Sequence, residues 1–370
     1  MNFQRMIMEV ESPEQIGYDK VVVNLAESSM RDRSLTELGF DLGSITDAPL
    51  CYGDHRGSEA LRRAIAADGQ GGLTADNVLV TVGAAGALFL IATALLDPGD
   101  ELVVTRPNYA SNLETPRAIG ATITYLDLTF ENGYQIDVDA LAQAITPRTK
   151  LVSITTPHNP TGAVIPPADL LRIVHLTRDA GCVLLVDETY RELADSPLPP
   201  ASTLGDHVIS VSSLSKTFGV PGIRIGWLTC TNHTLMTALL AGQEQAALTH
   251  SVLDIAVAEY VMAGREALLP GIRGDVRTNR RIVAEWIASD PGLEWVQPEG
   301  GVVCFPRFTA PALDARALYA QLQSDGYFVG PGWWFEQDAR SFRLGYGFPT
   351  APELQSALTQ ISSTWPKFTR

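Results

Sequence analysis

Apolar residues recur along this chain in two alternating rhythms. Short runs rich in aliphatic and β-branched residues, at Asn77–Val82, Glu101–Thr105, Thr122–Leu126, Leu151–Thr155, Val183–Asp187, His207–Val211 and Ile223–Cys230, have the length and make-up of buried strands. Between them lie stretches with helical spacing, among them Ala84–Leu96, Ala110–Ile119 and Pro167–Ala180, several closed by glycine or by Asp97-Pro98-Gly99. Apolar strands separated by helix-length segments need crossover connections. The pattern therefore predicts an α/β fold: a large three-layer domain with a mostly parallel seven-stranded sheet between covering helices.

Beyond Cys230 the rhythm changes to long helical patterns, Thr234–Met262 and Asp275–Ala288, interrupted at Pro270-Gly271. Short strand candidates follow at Val302–Phe305 and Ser341–Leu344, with helices at Asp314–Gln323 and Pro352–Ile361, the texture of a smaller α+β domain. A length of 370 residues exceeds what one core usually organises. The expected division is an N-terminal segment (1–45) packing with the small domain, a large domain (46–250) and a small C-terminal domain (251–370). No repeat or low-complexity tract interrupts it.

Composition narrows the class. A 45% hydrophobic and 19% charged chain is not disordered. Its 27 Lys and Arg against 42 Asp and Glu give a net charge of −15, which opposes phosphate backbones and anionic lipid, so neither nucleic acid nor membrane is expected as a partner. Cys51, Cys182, Cys230 and Cys304 lack ligand spacing, which points to free thiols in a reducing compartment and to no metal. The start of the chain lacks the basic and apolar parts of a secretion signal, and Ala87–Leu96 is about half of the roughly 20 residues that span a bilayer. A cytoplasmic location is expected.

The segment from Ser212 to Arg224 sets Lys216 among hydroxyls and glycines just after a strand. The segment reads either as a surface lysine after a strand with turn glycines or as a lysine in a partly desolvated pocket, which, with a cation such as Arg224 nearby, can lose its proton near neutral pH and attack carbonyls, the reactivity a Schiff base needs. Leu184–Tyr190 ends an apolar strand in the carboxylate of Asp187. Thr155–Gly162 breaks a strand with two prolines and a glycine, a rigid turn carrying Asn159. Val80–Gly86 joins a strand to an apolar helix; it reads either as a phosphate cradle made by the free amides of Gly83, Ala84 and Ala85 or as a close-packed turn.

Ser213-x-x-Lys216, with Arg224 eight residues later, resembles the signature of fold-type I pyridoxal-phosphate enzymes of the class I/II aminotransferase family. The other motifs occur in that family's order from Tyr52 to Arg343. The resemblance implies pyridoxal 5′-phosphate as cofactor, with Lys216 forming the Schiff base and shuttling the substrate's α-proton. It implies that Ser213, Arg224 and Gly83–Ala85 bind the phosphate and that Asp187 keeps the ring nitrogen protonated. Tyr109, in Arg106-Pro107-Asn108-Tyr109, would stack on the ring, and Asn159 and Tyr190 would reach the phenolic oxygen. Arg343, in Phe342-Arg343-Leu344-Gly345, would fork onto the substrate carboxylate beside Asn159, and Trp333 and Trp334 would wall the pocket. Tyr52 would cross to a neighbour's phosphate, which implies a homodimer. The implied activity is amino transfer from an L-amino acid to a 2-oxo acid by 1,3-proton transfer.

Val23–Ser29 departs from the glycine-containing segment many relatives carry near the substrate side chain. Its Glu27 is either a solvated or helix-capping carboxylate or the partner of a guanidinium. The second choice resembles capreomycidine-synthase-like enzymes and implies a non-transaminating cyclase, oxidase or lyase acting on arginine or a hydroxyarginine. A cofactor-sensing regulator is disfavoured, because the residues before Tyr52 are too few and not basic enough for a DNA-binding module.

Overall fold

The structure is a computed structural model and describes residues 1–68 and 71–369. The chain opens with two single-turn helices, α1 (Ile7–Val10) and α2 (Pro13–Ile16), strand β1 (Val23–Asn24) and a further turn, α3 (Leu35–Leu38), before α4 (Glu59–Ala67). All seven expected strands then assemble into one sheet: β2 (Val78–Val82), β3 (Glu101–Arg106), β4 (Thr122–Asp127), β5 (Thr149–Thr155), β6 (Val183–Asp187), β7 (Val208–Ser213) and β8 (Ile225–Thr229). Their order is β2-β8-β7-β6-β5-β3-β4. β8 is antiparallel to both neighbours and the other pairings are parallel.

Helices α5 (Gly83–Leu95), α6 (Ser111–Ile119), α7 (Val138–Ala144), α8 (Pro167–Ala180) and α9 (His233–Ala246) make the connections. Alternation along β6 shows the layering. Leu184 and Val186 pack with Leu170, Ile173 and Val174 of α8, whereas Leu185 packs with Leu88 and Ile91 of α5 and Leu239 of α9. A strand with both faces covered has no polar side, which is why β6 reads as a continuous apolar run.

The C-terminal part carries α10 (Val252–Ala263), α11 (Arg265–Ser289), α12 (Ala315–Ser324) and α13 (Ala351–Thr364). It also holds six short strands: β9 (Leu293–Glu294), β10 (Val303–Cys304), β11 (Arg307–Phe308), β12 (Tyr327–Phe328), β13 (Gly330–Pro331) and β14 (Phe342–Gly345). Two expectations fail here. The pattern over Thr234–Met262 is two helices, not one: the chain turns at Leu248, with φ +58, and Ser251 caps α10 by accepting from Asp254 N. Conversely, α11 continues through Pro270-Gly271. A proline there forfeits one ladder bond, and the buried stripe of Leu269, Ile272 and Val276 holds the helix together across it.

The N-terminal segment joins the C-terminal part. β1 pairs in parallel with β12, the Leu25 amide donates to the Phe328 carbonyl and the Gly345 amide to the Leu25 carbonyl. Gly345 is glycine for a steric reason: a Cβ there would overlap the Glu27 carbonyl oxygen. This seam sets residues 25–28 beside Arg343 of β14. Among the described residues, no helix is long and apolar enough to cross a membrane.

Candidate active site

The carboxyl ends of β2, β3, β5, β6 and β7 and the amino end of β8 share one edge of the sheet, the place where crossover loops leave a crevice for ligands. Register puts Thr155 opposite Asp187, Asp187 opposite Val211, Ser213 opposite Gly226 and Val82 opposite Ile225. Segments far apart in the chain thus deliver Gly83, Tyr109, Asn159, Asp187, Tyr190, Ser213, Lys216 and Arg224 to one edge.

Asp187 is 5% exposed, and its Oδ1 accepts from the Thr189 hydroxyl at 2.6 Å and the Thr189 amide at 3.1 Å. Burial pushes its pKa up, and hydrogen bonds from Thr189 and Asn112 oppose the rise. Asn112 in turn donates to Asn108 Oδ1 at 3.0 Å, and the same oxygen accepts from the Tyr109 amide at 2.7 Å. Tyr109 is half-buried and packs against the core on both sides of the sheet.

Sequence reasoning passed over Asn108, Asn112 and His158. His158 is buried, with Nδ1 2.8 Å from the Thr161 hydroxyl and Nε2 2.9 Å from the Pro107 carbonyl. Burial lowers its pKa to about 4, so at neutral pH Nε2 carries the proton donated to Pro107 and Nδ1 accepts from Thr161. The ring thereby ties the turn presenting Tyr109 to the turn presenting Asn159. Its only sequence signal is its place inside the doubly prolyl turn.

At the other end of the edge, α5 starts after Val82 without a side-chain cap. Gly83 has φ +68, and a Cβ on it would come 2.6 Å from the Arg224 guanidinium. A Cβ on Gly226 would overlap the Gly83–Ala84 peptide. The two glycines let β8 and the helix start meet, leaving uncapped amides, Ala84 and Ala85 included, beside a guanidinium. Arg224 is exposed, Ser213 is buried at the end of β7, and Ser212 Oγ and Thr217 Oγ1 are buried without hydrogen-bond partners among the described residues. Unused donors around a cationic helix start fit a bound phosphate.

Lys216 is half-buried, and its Nζ donates to Glu27 Oε1 at 3.2 Å. Burial works to lower its pKa, but the Glu27 charge overcomes this and raises it, with Tyr190 and Tyr109 adding to the rise. The expectation that Arg224 helps to deprotonate Lys216 is therefore corrected: Arg224 lies against Gly83, and Arg343 is the cation that disfavours the charged lysine. Glu27 also accepts from the Ser28 amide at 2.8 Å. Burial acts to raise its pKa, yet Lys216, that amide and Arg343 hold it down to about 2.

Arg343 is 4% exposed. It donates from Nη1 to Asn159 Oδ1 at 3.2 Å and from Nη2 to the Ala26 carbonyl at 2.5 Å, while Nε is buried without a partner among the described residues. The Tyr190 hydroxyl donates to the Ser28 carbonyl at 2.8 Å. Residues 26–28 thus close the site from the N-terminal side. Tyr52 is not drawn in: it stands 80% exposed and makes no side-chain hydrogen bond among those described.

The family described as aminotransferase class I and II matches residues 44–361. The chain is 36% identical over 313 residues to capreomycidine synthase of Streptomyces vinaceus, spanning 84% of this chain and 79% of that protein. It is 32% identical over 287 residues to arginine–pyruvate transaminase of Pseudomonas aeruginosa, spanning 73% and 71%. Among solved structures, a PLP-dependent aminotransferase from Streptococcus suis superposes with a TM-score of 0.92 over 100% of both chains, at 28% identity.

Proposed function

Because the chain belongs to the class I and II aminotransferase family, we propose that it transfers the α-amino group of an L-amino acid to a 2-oxo acid, using pyridoxal 5′-phosphate held by Lys216. The observation that carries this reading is the meeting at one sheet edge of an amine, Lys216, a buried carboxylate, Asp187, and an uncapped helix start beside Arg224. Their chemistry matches the aldehyde, ring nitrogen and phosphate of that cofactor.

When bound, the cofactor supplies an electron sink for the charge left by α-proton removal. The protein's part is positioning and proton handling. Asp187, buried and hydrogen-bonded by Thr189, would favour a proton on the cofactor's ring nitrogen. Gly83, Ala84 and Ala85 amides, Ser213 and Arg224 would bind its phosphate, and Tyr109 would pack against its ring. Asn159 would donate a hydrogen bond to the ring oxygen, and Tyr190 would do so once its hydroxyl turned from the Ser28 carbonyl. Arg343 takes the substrate carboxylate, with its free Nε as the open donor, in a planar geometry that lysine cannot supply. Lys216 Nζ moves the α-proton once freed of its own extra proton, which Glu27 stabilises.

The same reading makes the protein a cytoplasmic homodimer in which Tyr52 reaches the phosphate of a second copy, and keeps the division 1–45, 46–250 and 251–370. Borohydride reduction of the cofactor-loaded protein, followed by peptide mass spectrometry, tests it: label is expected on Lys216, and an unlabelled Lys216 would overturn it.

Glu27 favours a second reading. Glu9 and Asp32 lie within electrostatic reach of Glu27, and Glu14 within reach of Glu9 and Asp32, so the carboxylates outnumber Lys216 and Arg343. Such a pocket suits a guanidinium-bearing substrate; the relative named for arginine is itself a transaminase, so it bears on the substrate class and not on the reaction type. This reading is a non-transaminating cyclase, oxidase or lyase acting on arginine or a hydroxyarginine. An amino-acid panel with product mass spectrometry separates the two. Product that depends on an added 2-oxo acid supports amino transfer; a cyclised, desaturated or hydroxylated product without it supports the second.

A further inference from the structure

The N-terminal residues run across the site from one part of the molecule to the other. At one end, the Asn2 amide donates to the Ala118 carbonyl of α6, and the Phe3 ring lies 6.1 Å from Phe89 of α5. In the middle, Met8 is buried in one cluster with Ala26, Phe328, Trp334 and Phe335. Ala26 holds Nη2 of Arg343, the Arg343 guanidinium lies over the Phe335 ring at 5.1 Å, and Glu9 of α1 is within electrostatic reach of both Lys216 and Arg343, so α1 lies over the Lys216–Arg343 pair.

At the far end stands a single acceptor with two donors. Glu11 Oε2 accepts the indole N–H of Trp334 at 2.6 Å and that of Trp333 at 3.0 Å. Neither α1 nor α2, at four residues each, is long enough to hold its own shape. Ile7 and Val10 of α1 face outward, so little besides Met8 anchors that helix by apolar burial. The carboxylate is therefore the main polar fastening of the segment to the C-terminal part, and charge-assisted bonds are the stronger kind. Removing it leaves two indole donors in an apolar turn without an acceptor, a cost relieved if the segment lifts and water reaches them.

We propose that Glu11 is a positioning residue whose carboxylate latches residues 2–16 onto Trp333 and Trp334 as a cover over the Lys216–Arg343 pocket, to be released when substrate passes. The proposal rests on the reading of that pocket as the substrate site. It assigns the paired tryptophans a task other than lining the pocket. Because one oxygen serves both donors, Glu11→Gln keeps an acceptor and loses only the charge, whereas Glu11→Ala loses both.

The full-length, cofactor-loaded protein offers a direct test, since the exposed Arg5 and Lys20 are trypsin sites, one within the cover and one just after it. Glu11→Ala is expected to speed cleavage at these two sites roughly tenfold, the effect of losing one or two hydrogen bonds to a charged group. It should also red-shift tryptophan emission and change KM more than kcat. Glu11→Gln should stay within roughly threefold of the parent, as expected when an acceptor is retained. The Trp333→Phe, Trp334→Phe double variant, which removes the donors and keeps Glu11, should open the same two sites.

Unchanged cleavage and emission in Glu11→Ala would overturn the latch. So would cleavage spread along the whole chain, which would mark Glu11 as a general stabiliser. Borohydride labelling separates this from the reading beneath it. An unlabelled Lys216 with accelerated cleavage in Glu11→Ala would sink the pocket assignment and leave a fastened segment of another purpose. A labelled Lys216 with unchanged cleavage would sink the latch alone.

Discussion

The wall of the site at the sheet edge holds its groups by buried hydrogen bonds, many of them between neutral partners: Asn108 to Tyr109 and Asn112, His158 to Pro107 and Thr161, Thr189 to Asp187. The opposite wall, built from residues 26–28 and β14, relies on charge: Lys216 against Glu27, and the Arg343 guanidinium on the Ala26 carbonyl and Asn159. The difference separates two tasks. The part of the first wall from Asn108 to Asp187 has little reason to rearrange with pH or ligand, because its central histidine is neutral and the donors just named are satisfied. The second is a set of charges whose partners must change when Lys216 is engaged elsewhere and a carboxylate arrives at Arg343. On the proposed reading, placement of the cofactor falls to the first and selection of the substrate to the second.

Lys216→Ala should have the largest effect, since it removes the one group both walls share. Visible absorbance of the loaded protein and all turnover are expected to vanish, and retained activity would contradict the assignment. Asp187→Ala strikes the sheet-edge wall. It should bind some cofactor but lose roughly two to three orders of magnitude in kcat, the scale of one removed electrostatic group in an active site. A near-normal rate would show that the buried carboxylate is only structural.

Arg343→Lys strikes the charged wall while keeping its charge. Loss of the planar fork should raise KM by roughly 10- to 100-fold, the equivalent of one or two charged hydrogen bonds, in steady-state assays. An unchanged KM would move the carboxylate site elsewhere.

Glu27→Gln gives the smallest effect and the sharpest test of the contrast. In the cofactor-free protein the half-buried pair should contribute about 1–3 kcal/mol at neutral pH, between an exposed and a buried ion pair. The Glu27 pKa is depressed from 4.5 to about 2, so its contribution is present above about pH 4.5 and is lost as the pH falls toward 2. The Lys216 pKa is raised above 10.5, so that side of the pair is present below 10.5 and is lost as the pH climbs beyond it. Urea midpoints of parent and variant should therefore converge at both extremes. A gap independent of pH would mean that the carboxylate acts through packing.

The sheet-edge wall was largely legible because its signals are local. β6 is a continuous apolar run ending in Asp187, and the turn after β5 announces itself through two prolines and a glycine. Local pattern failed where tertiary packing overrode it, as in α11, which continues through Pro270, or where a cap interrupts an apolar run, as at Ser251. The Asn108–Asn112 pair was missed because buried asparagines look like turn residues when their partners lie on other strands.

Periodicity and motif order by themselves determined the α/β class, the seven strands and the family resemblance, because burial on both faces of a parallel strand is written into consecutive residues. Tertiary structure alone decided the charge state of Lys216, since its partner Glu27 stands 189 positions away, and the seating of Arg343 against a carbonyl 317 positions distant. Electrostatic energy depends on separation in space and on desolvation, and a chain read in order carries neither until the β1–β12 seam closes.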